Sequence, residues 1–191
     1  MSEPQFNTNG TIGDITKSAN KNPHIYRVLS MLMDHIIMCI VIVPLAILIF
    51  VIILKFEDKL NLDIGIALIF IPFFIYLNKD FLKSKSPAKR ILGYQVMDRK
   101  TNNPANELQC FIRNLTICIA WPLEVIVGFI NPERRIGDFL ANTKVVLAEK
   151  EKLTSIWTDL KHKKLKINYL GILLIGGLYF YGLSHFLLNL Q

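Results

Sequence analysis

Nineteen consecutive residues, Ile36 to Leu54, carry no charged side chain, and that run limits the possible folds more than any other feature of the chain. As a helix rising about 1.5 Å per residue it covers roughly 28 Å, close to the hydrocarbon thickness of a bilayer. A second run, Tyr169 to Leu188, contains only His185 as a group that could be charged, and Tyr169, Tyr179 and Tyr181 can sit near headgroups. The 191 residues are 52% apolar and 19% charged, a balance that suits a membrane protein better than a soluble domain. The expected class is all-α transmembrane, multi-pass in the cytoplasmic membrane.

Two further apolar segments are shorter or interrupted. Ile64 to Leu77 contains Pro72 and needs its flanks to complete a span, whereas Leu115 to Ile130 is broken by Trp121, Pro122, Glu124 and Gly128. Short basic loops stay on the cytoplasmic side. The connection Asn78 to Asn114 carries eight Lys and Arg, and Asn131 to Asn168 carries nine, so both are expected there, as is the amino terminus. A full crossing by Leu115 to Ile130 would separate them; a re-entrant hairpin broken at Pro122 would not. The chain therefore has three or four membrane segments, the third crossing or re-entrant. The polar leader makes a cleavable signal unexpected.

Residues 1–24 read as a flexible polar tail, residues 25–148 as a membrane domain, and residues 149–191 as an interfacial helix followed by the last span. Gly93 to Asp98 and Asn142 to Leu147 are strand-like runs whose pairing would place both connections on one side. Asn106 is an expected helix cap with Gln109 reaching back. Leu153, Ile156, Trp157 and Leu160 follow helical spacing among lysines, which predicts an amphipathic helix on anionic lipid headgroups, with Trp157, Lys161, Lys163, Lys164 and Lys166 facing the lipid. Cys39, Cys110 and Cys118 lack the spacing of a metal site or disulfide framework and are assigned to packing.

Ionisable groups beside apolar runs carry the remaining information, because placing one in hydrocarbon costs several kcal/mol unless it is paired or wet. Arg27 and Asp34 share one helix face about 10 Å apart along the axis, leaving room for charges from Pro132 to Asp138. The expected network is Arg27, Asp34, Arg134, Arg135 and Asp138. Glu124 would need a partner such as Arg113, which lies on nearly the same face if no kink intervenes.

Five fragments in order, namely Arg27 with Asp34, Ser86-Pro87-Ala88-Lys89-Arg90-Ile91-Leu92-Gly93, Arg113-Asn114-Leu115, Arg134-Arg135-Ile136-Gly137-Asp138 and Phe139 to Thr143, resemble the RDD family of membrane proteins. The resemblance covers about residues 25–148 and implies that Arg27, Asp34 and Asp138 are the residues for which the family is named. Ala88 stands where the family usually has Gly, which removes easy access to a left-handed turn there. Asn142 stands in place of another Gly, and Asn tolerates that region. Cation/proton exchange and partner-protein roles are both proposed within the family.

The expected function is a non-enzymatic membrane adaptor or accessory subunit with a protein partner or a second copy of itself. The alternative is a small cation/proton transporter using Asp34 and Glu124 as its ion or proton site. No nucleophile-base constellation, phosphate loop, metal spacing or cofactor motif appears, so no enzyme, metal or cofactor is expected. The net charge of +7 lies beside the spans, where orientation accounts for it, and nucleic acid is not an expected partner.

Overall fold

The computed structural model describes residues 22–56, 59–164 and 166–189. The expected polar tail lies outside them up to residue 21. Helix α1, Pro23–Lys55, has 33 residues and opens with proline in its first turn, where the missing N–H costs no hydrogen bond. At about 50 Å it exceeds the hydrocarbon thickness by roughly 20 Å. The apolar run fills its carboxyl-terminal part. The excess is the amino-terminal portion, where Arg27, Ser30, Met31, Asp34 and Met38 are buried at helical spacing.

Helix α2, Leu62–Leu77, has 16 residues and returns along α1, so that the Tyr76 hydroxyl meets His35 Nδ1 at 3.1 Å. At about 24 Å it is shorter than a bilayer's hydrocarbon core. By length and composition α1 and the last helix, α8 (Asn168–Leu188), could each cross a membrane, and one bent pair makes a third candidate.

That pair is α4 (Glu107–Leu115) and α5 (Ile117–Ile130), bent by 89°. Helix α4 begins with the expected capping box: Asn106 Oδ1 accepts from Gln109 N at 2.8 Å and Gln109 Oε1 from Asn106 N at 3.0 Å. It runs beside α8 in the same direction, with Leu108 near Gly171, Phe111 near Gly176, and the Tyr179 hydroxyl donating to Leu115 O at 3.0 Å. Ala120 leaves helical geometry (φ −134°, ψ 36°) just before Pro122. Helix α5 then runs antiparallel to α1, with Trp121 against His35, Gly128 against Met31 and Phe129 O bonded to His24. The two arms thus meet at about a right angle, α4 packed beside α8 and α5 beside α1.

Between α2 and α4 lie α3 (Pro87–Leu92) and strand β1 (Tyr94–Asp98). Ser86 caps α3, and Gly93 ends it at φ 75°, where a Cβ would meet Ala148 O at 2.7 Å; only glycine fits this close approach. After α6 (Ile136–Leu140) comes strand β2 (Thr143–Leu147). The strands pair antiparallel with Val96 opposite Val145, joining the two basic connections. Leu92, Tyr94, Val96, Ala105, Cys110 and Val145 form the core beneath them.

Two backbone expectations resolve differently. Ala88 lies inside α3 rather than at a left-handed turn, and Lys83 and Ser84 take positive φ instead. Asn142 is left-handed at φ 52°. Helix α7, Ser155–Lys161, begins later than the apolar spacing suggests and buries none of its residues.

Candidate functional site

Eight of the buried charged side chains form one connected chain across the end of the bundle. Lys89 Nζ on α3 donates to Asp34 Oδ2 and to Asp80 Oδ1, each at 2.8 Å. Asp80, in the turn after α2, accepts from Arg113 Nη1 of α4 at 2.7 Å. Arg113 then reaches Asp138 of α6 through Nε at 2.7 Å and Nη2 at 3.2 Å, a bidentate pairing that favours arginine over lysine. Arg27 Nη2 stands 3.5 Å from Asp138 Oδ2. Arg135 Nε stands 3.4 Å from Glu124 Oε2 on α5, while its Nη2 donates to Asn114 Oδ1 at 2.6 Å.

All eight ionisable groups, Arg27, Asp34, Asp80, Lys89, Arg113, Glu124, Arg135 and Asp138, are buried. Four carboxylates balance four cations when all are ionised. Neutral partners add to the set: Ala88 N donates to Asp34 Oδ1 at 3.2 Å, Asn114 Nδ2 to Asp80 at 3.3 Å, the Thr143 hydroxyl to Asp138 at 2.7 Å, and Gly137 N to Glu124 Oε1 at 2.9 Å. Thr116 also bonds Glu124. Burial pushes the Asp80 carboxyl up, but Lys89 and Arg113 outweigh it and hold it well below the usual carboxylate range. Asp138 is held low in the same way, chiefly by Arg113.

Gly137 makes this geometry possible, because a Cβ there would collide with the Arg113 carbonyl oxygen. Helices α4 and α6 therefore touch backbone to backbone, and the short helix brings Asp138 under the Arg113 guanidinium.

The expected network is partly assembled in this way and partly different. Asp138 does stand by Arg27, but Asp34 pairs with Lys89 from the first basic connection, not with the segment from Pro132 to Asp138. Among the described residues Arg134 joins no carboxylate: its side chain donates to Thr143 O and Asp138 O and lies over the Phe139 ring at 4.0 Å. Glu124 does not meet Arg113, since the bend and the Ala120 kink turn it toward Thr116, Gly137 and Arg135. Lys89, Arg113 and Asn114 lie in fragments visible in the sequence, but Asp80 was missed. Its only signal is an acidic residue just past the apolar run ending at Leu77.

A second, partly exposed set ties the last connection on. Arg90 meets Asp159 and Glu151, Lys85 meets Glu151, and Lys83 meets Asp159, all within 2.7 Å. Helix α7 is therefore fastened through its polar side, leaving Leu153, Trp157 and Leu160 exposed, the reverse of a helix on a soluble domain. Lys161 lies 5.8 Å from the Trp157 ring, Lys163 is held by Glu107, and Lys164 and Lys166 are exposed. Among the described residues, no group of three or more His, Cys, Asp or Glu is arranged to hold a metal.

Apolar helices with largely exposed apolar faces, keyed at one end by ion pairs drawn from α1, the turn after α2, and α3 to α6, define an integral membrane protein. The chain belongs to the RDD family, whose sequence model matches residues 23–185 and so takes in the whole network. No curated protein and no solved structure matches.

Proposed function

We propose that the chain is a non-enzymatic membrane adaptor or accessory subunit, with its amino terminus and both basic connections cytoplasmic and α4–α5 a re-entrant hairpin. The observation that carries this reading is that the buried Asp34 already has a cation of the chain's own, Lys89 on Oδ2, with Ala88 N on Oδ1. A transported cation would have to compete with that ammonium group for the same carboxylate. The paired charges instead act as a structural key, a role in which buried ion pairs set geometry more than net stability. The hairpin is supported by the 89° bend between α4 and α5 and by the pairing of β1 with β2, which ties the two basic connections together. Trp157 and the lysines of α7 and its linker suit an interface rich in anionic lipid, and a protein partner or second copy would dock on the same face.

The discriminating experiment is cation-driven proton movement in liposomes containing purified protein. The adaptor reading predicts the same leak in protein-containing and empty vesicles. Flux that disappears in Asp34→Asn, at equal folded protein, would establish the transporter instead.

A further inference from the structure

A cavity of about 450 Å³ opens between the turn after α2 and the linker joining α7 to α8, lined by Lys83, Asp159, Lys163, Lys164 and Lys166 with His162 at its edge. We propose that it binds the phosphate of an anionic phospholipid headgroup, a site that would exist whether the protein serves as adaptor or transporter.

Charge is the first argument. Asp159 is already neutralised from behind by Arg90 at 2.7 Å, so Lys83, which meets the same carboxylate, is in surplus. Glu107 is shared between Lys163 at 2.6 Å and Lys166 at 3.2 Å, and one carboxylate cannot balance two ammonium groups. Lys164 is exposed and adds a further charge. Lys163 is positioned rather than mobile: it also donates to Phe81 O at 3.2 Å and lies 4.7 Å from the Phe81 ring.

Location is the second, and it selects a lipid over a soluble anion. The linker leads directly into α8, which starts at Asn168, so the cavity lies where the last helix would leave the hydrocarbon. Ile167, 85% exposed, and Trp157, 64% exposed, point outward beside it, which suits the boundary between acyl chains and headgroups. Leu82 and the lysine stems can supply apolar walls beside the ammonium groups, the combination an amphiphile with a charged head requires. Such residues would have no reason to be exposed around a site for free phosphate in water.

The test uses the full chain purified in a neutral detergent, titrated with phosphatidylglycerol, with phosphatidylcholine and with inorganic phosphate, bound lipid being counted by native mass spectrometry. Phosphatidylglycerol should bind preferentially. Lys83→Gln and Lys164→Gln should each weaken it about fivefold, the equivalent of one lysine near a charged surface, whereas the remote Lys100→Gln should not. Both lysines are exposed, so an unchanged melting midpoint will accompany the loss. The proposal is overturned if the two variants bind like wild type, if Lys100→Gln loses as much, which would mean diffuse attraction, or if inorganic phosphate displaces the lipid at equal concentration.

Discussion

Replacing Lys89 with methionine keeps its length and removes the ammonium group hydrogen-bonded to both Asp34 and Asp80. The consequences for the two carboxylates differ. Asp80 keeps Arg113 and Asn114, whereas Asp34 keeps the Ala88 N–H and the through-space attraction of Lys79. Breaking a buried pair by deleting one partner costs about 3–5 kcal/mol, because the other charge stays buried. The upper part of that range is expected here, since two carboxylates are affected. Removing the stranded charge as well should recover part of the loss. Lys89→Met with Asp34→Asn should therefore be more stable than the sum of the single changes by about 1–3 kcal/mol, a coupling expected of residues in one network. Unfolding by graded SDS in mixed micelles, followed through Trp121 and Trp157 fluorescence, gives the four free energies of the cycle. A Lys89→Met cost below about 1 kcal/mol, the range of exposed pairs, or strictly additive changes, would refute the buried network as drawn.

Other outcomes follow from the same contacts. Gly137→Ala should sharply lower folded protein in membranes, because the colliding atom is the Arg113 backbone oxygen; a wild-type yield of monodisperse protein would show that α4 and α6 can separate freely. Asp138→Asn should destabilise by about 3 kcal/mol or more, while Arg134→Ala, which touches only backbone carbonyls and Phe139, should cost about 1 kcal/mol; equal midpoints in thermal unfolding would contradict this order. Asp80 and Asp138 have folded pKa values depressed below the roughly 3.9 of an unfolded aspartate. Their contribution is therefore complete above that value and lost as pH falls below it. Thermal midpoints should change little on this account between about pH 7 and 5, then drop below about pH 4, with the acid-side drop diminished in Asp80→Asn.

What the sequence revealed and what it concealed have separate physical causes. The long spans were legible because hydrocarbon thickness imposes a length that Ile36 to Leu54 meets locally. The Asn106 cap and the pairing of Gln95 to Met97 with the second strand run were legible because turn chemistry and β-branching act over a few residues. The helix that carries Arg27 and Asp34 into the first span was legible from their shared face, but the partners that occupy that face were not. Those partners lie far along the chain. Lys89 is 55 residues from Asp34, and Arg113 is 33 from Asp80, so neither pairing follows from periodicity. Choosing Lys89 over Arg135 as the partner of Asp34 depends on where the α3 cap places the lysine, and losing the Arg113–Glu124 pair depends on an 89° bend that Pro122 only hints at.

The central claim is that the two basic connections share one side of the membrane while the last helix carries the chain to the other. Single cysteines at Lys100, Lys152 and Asn189, in a background lacking Cys39, Cys110 and Cys118, can be probed with a membrane-impermeant thiol reagent added outside intact cells. The account predicts labelling at position 189 alone, and at positions 100 and 152 only after permeabilisation. External labelling at 152 with protection at 100 would mean that the segment from Leu115 to Ile130 crosses, and would contradict it.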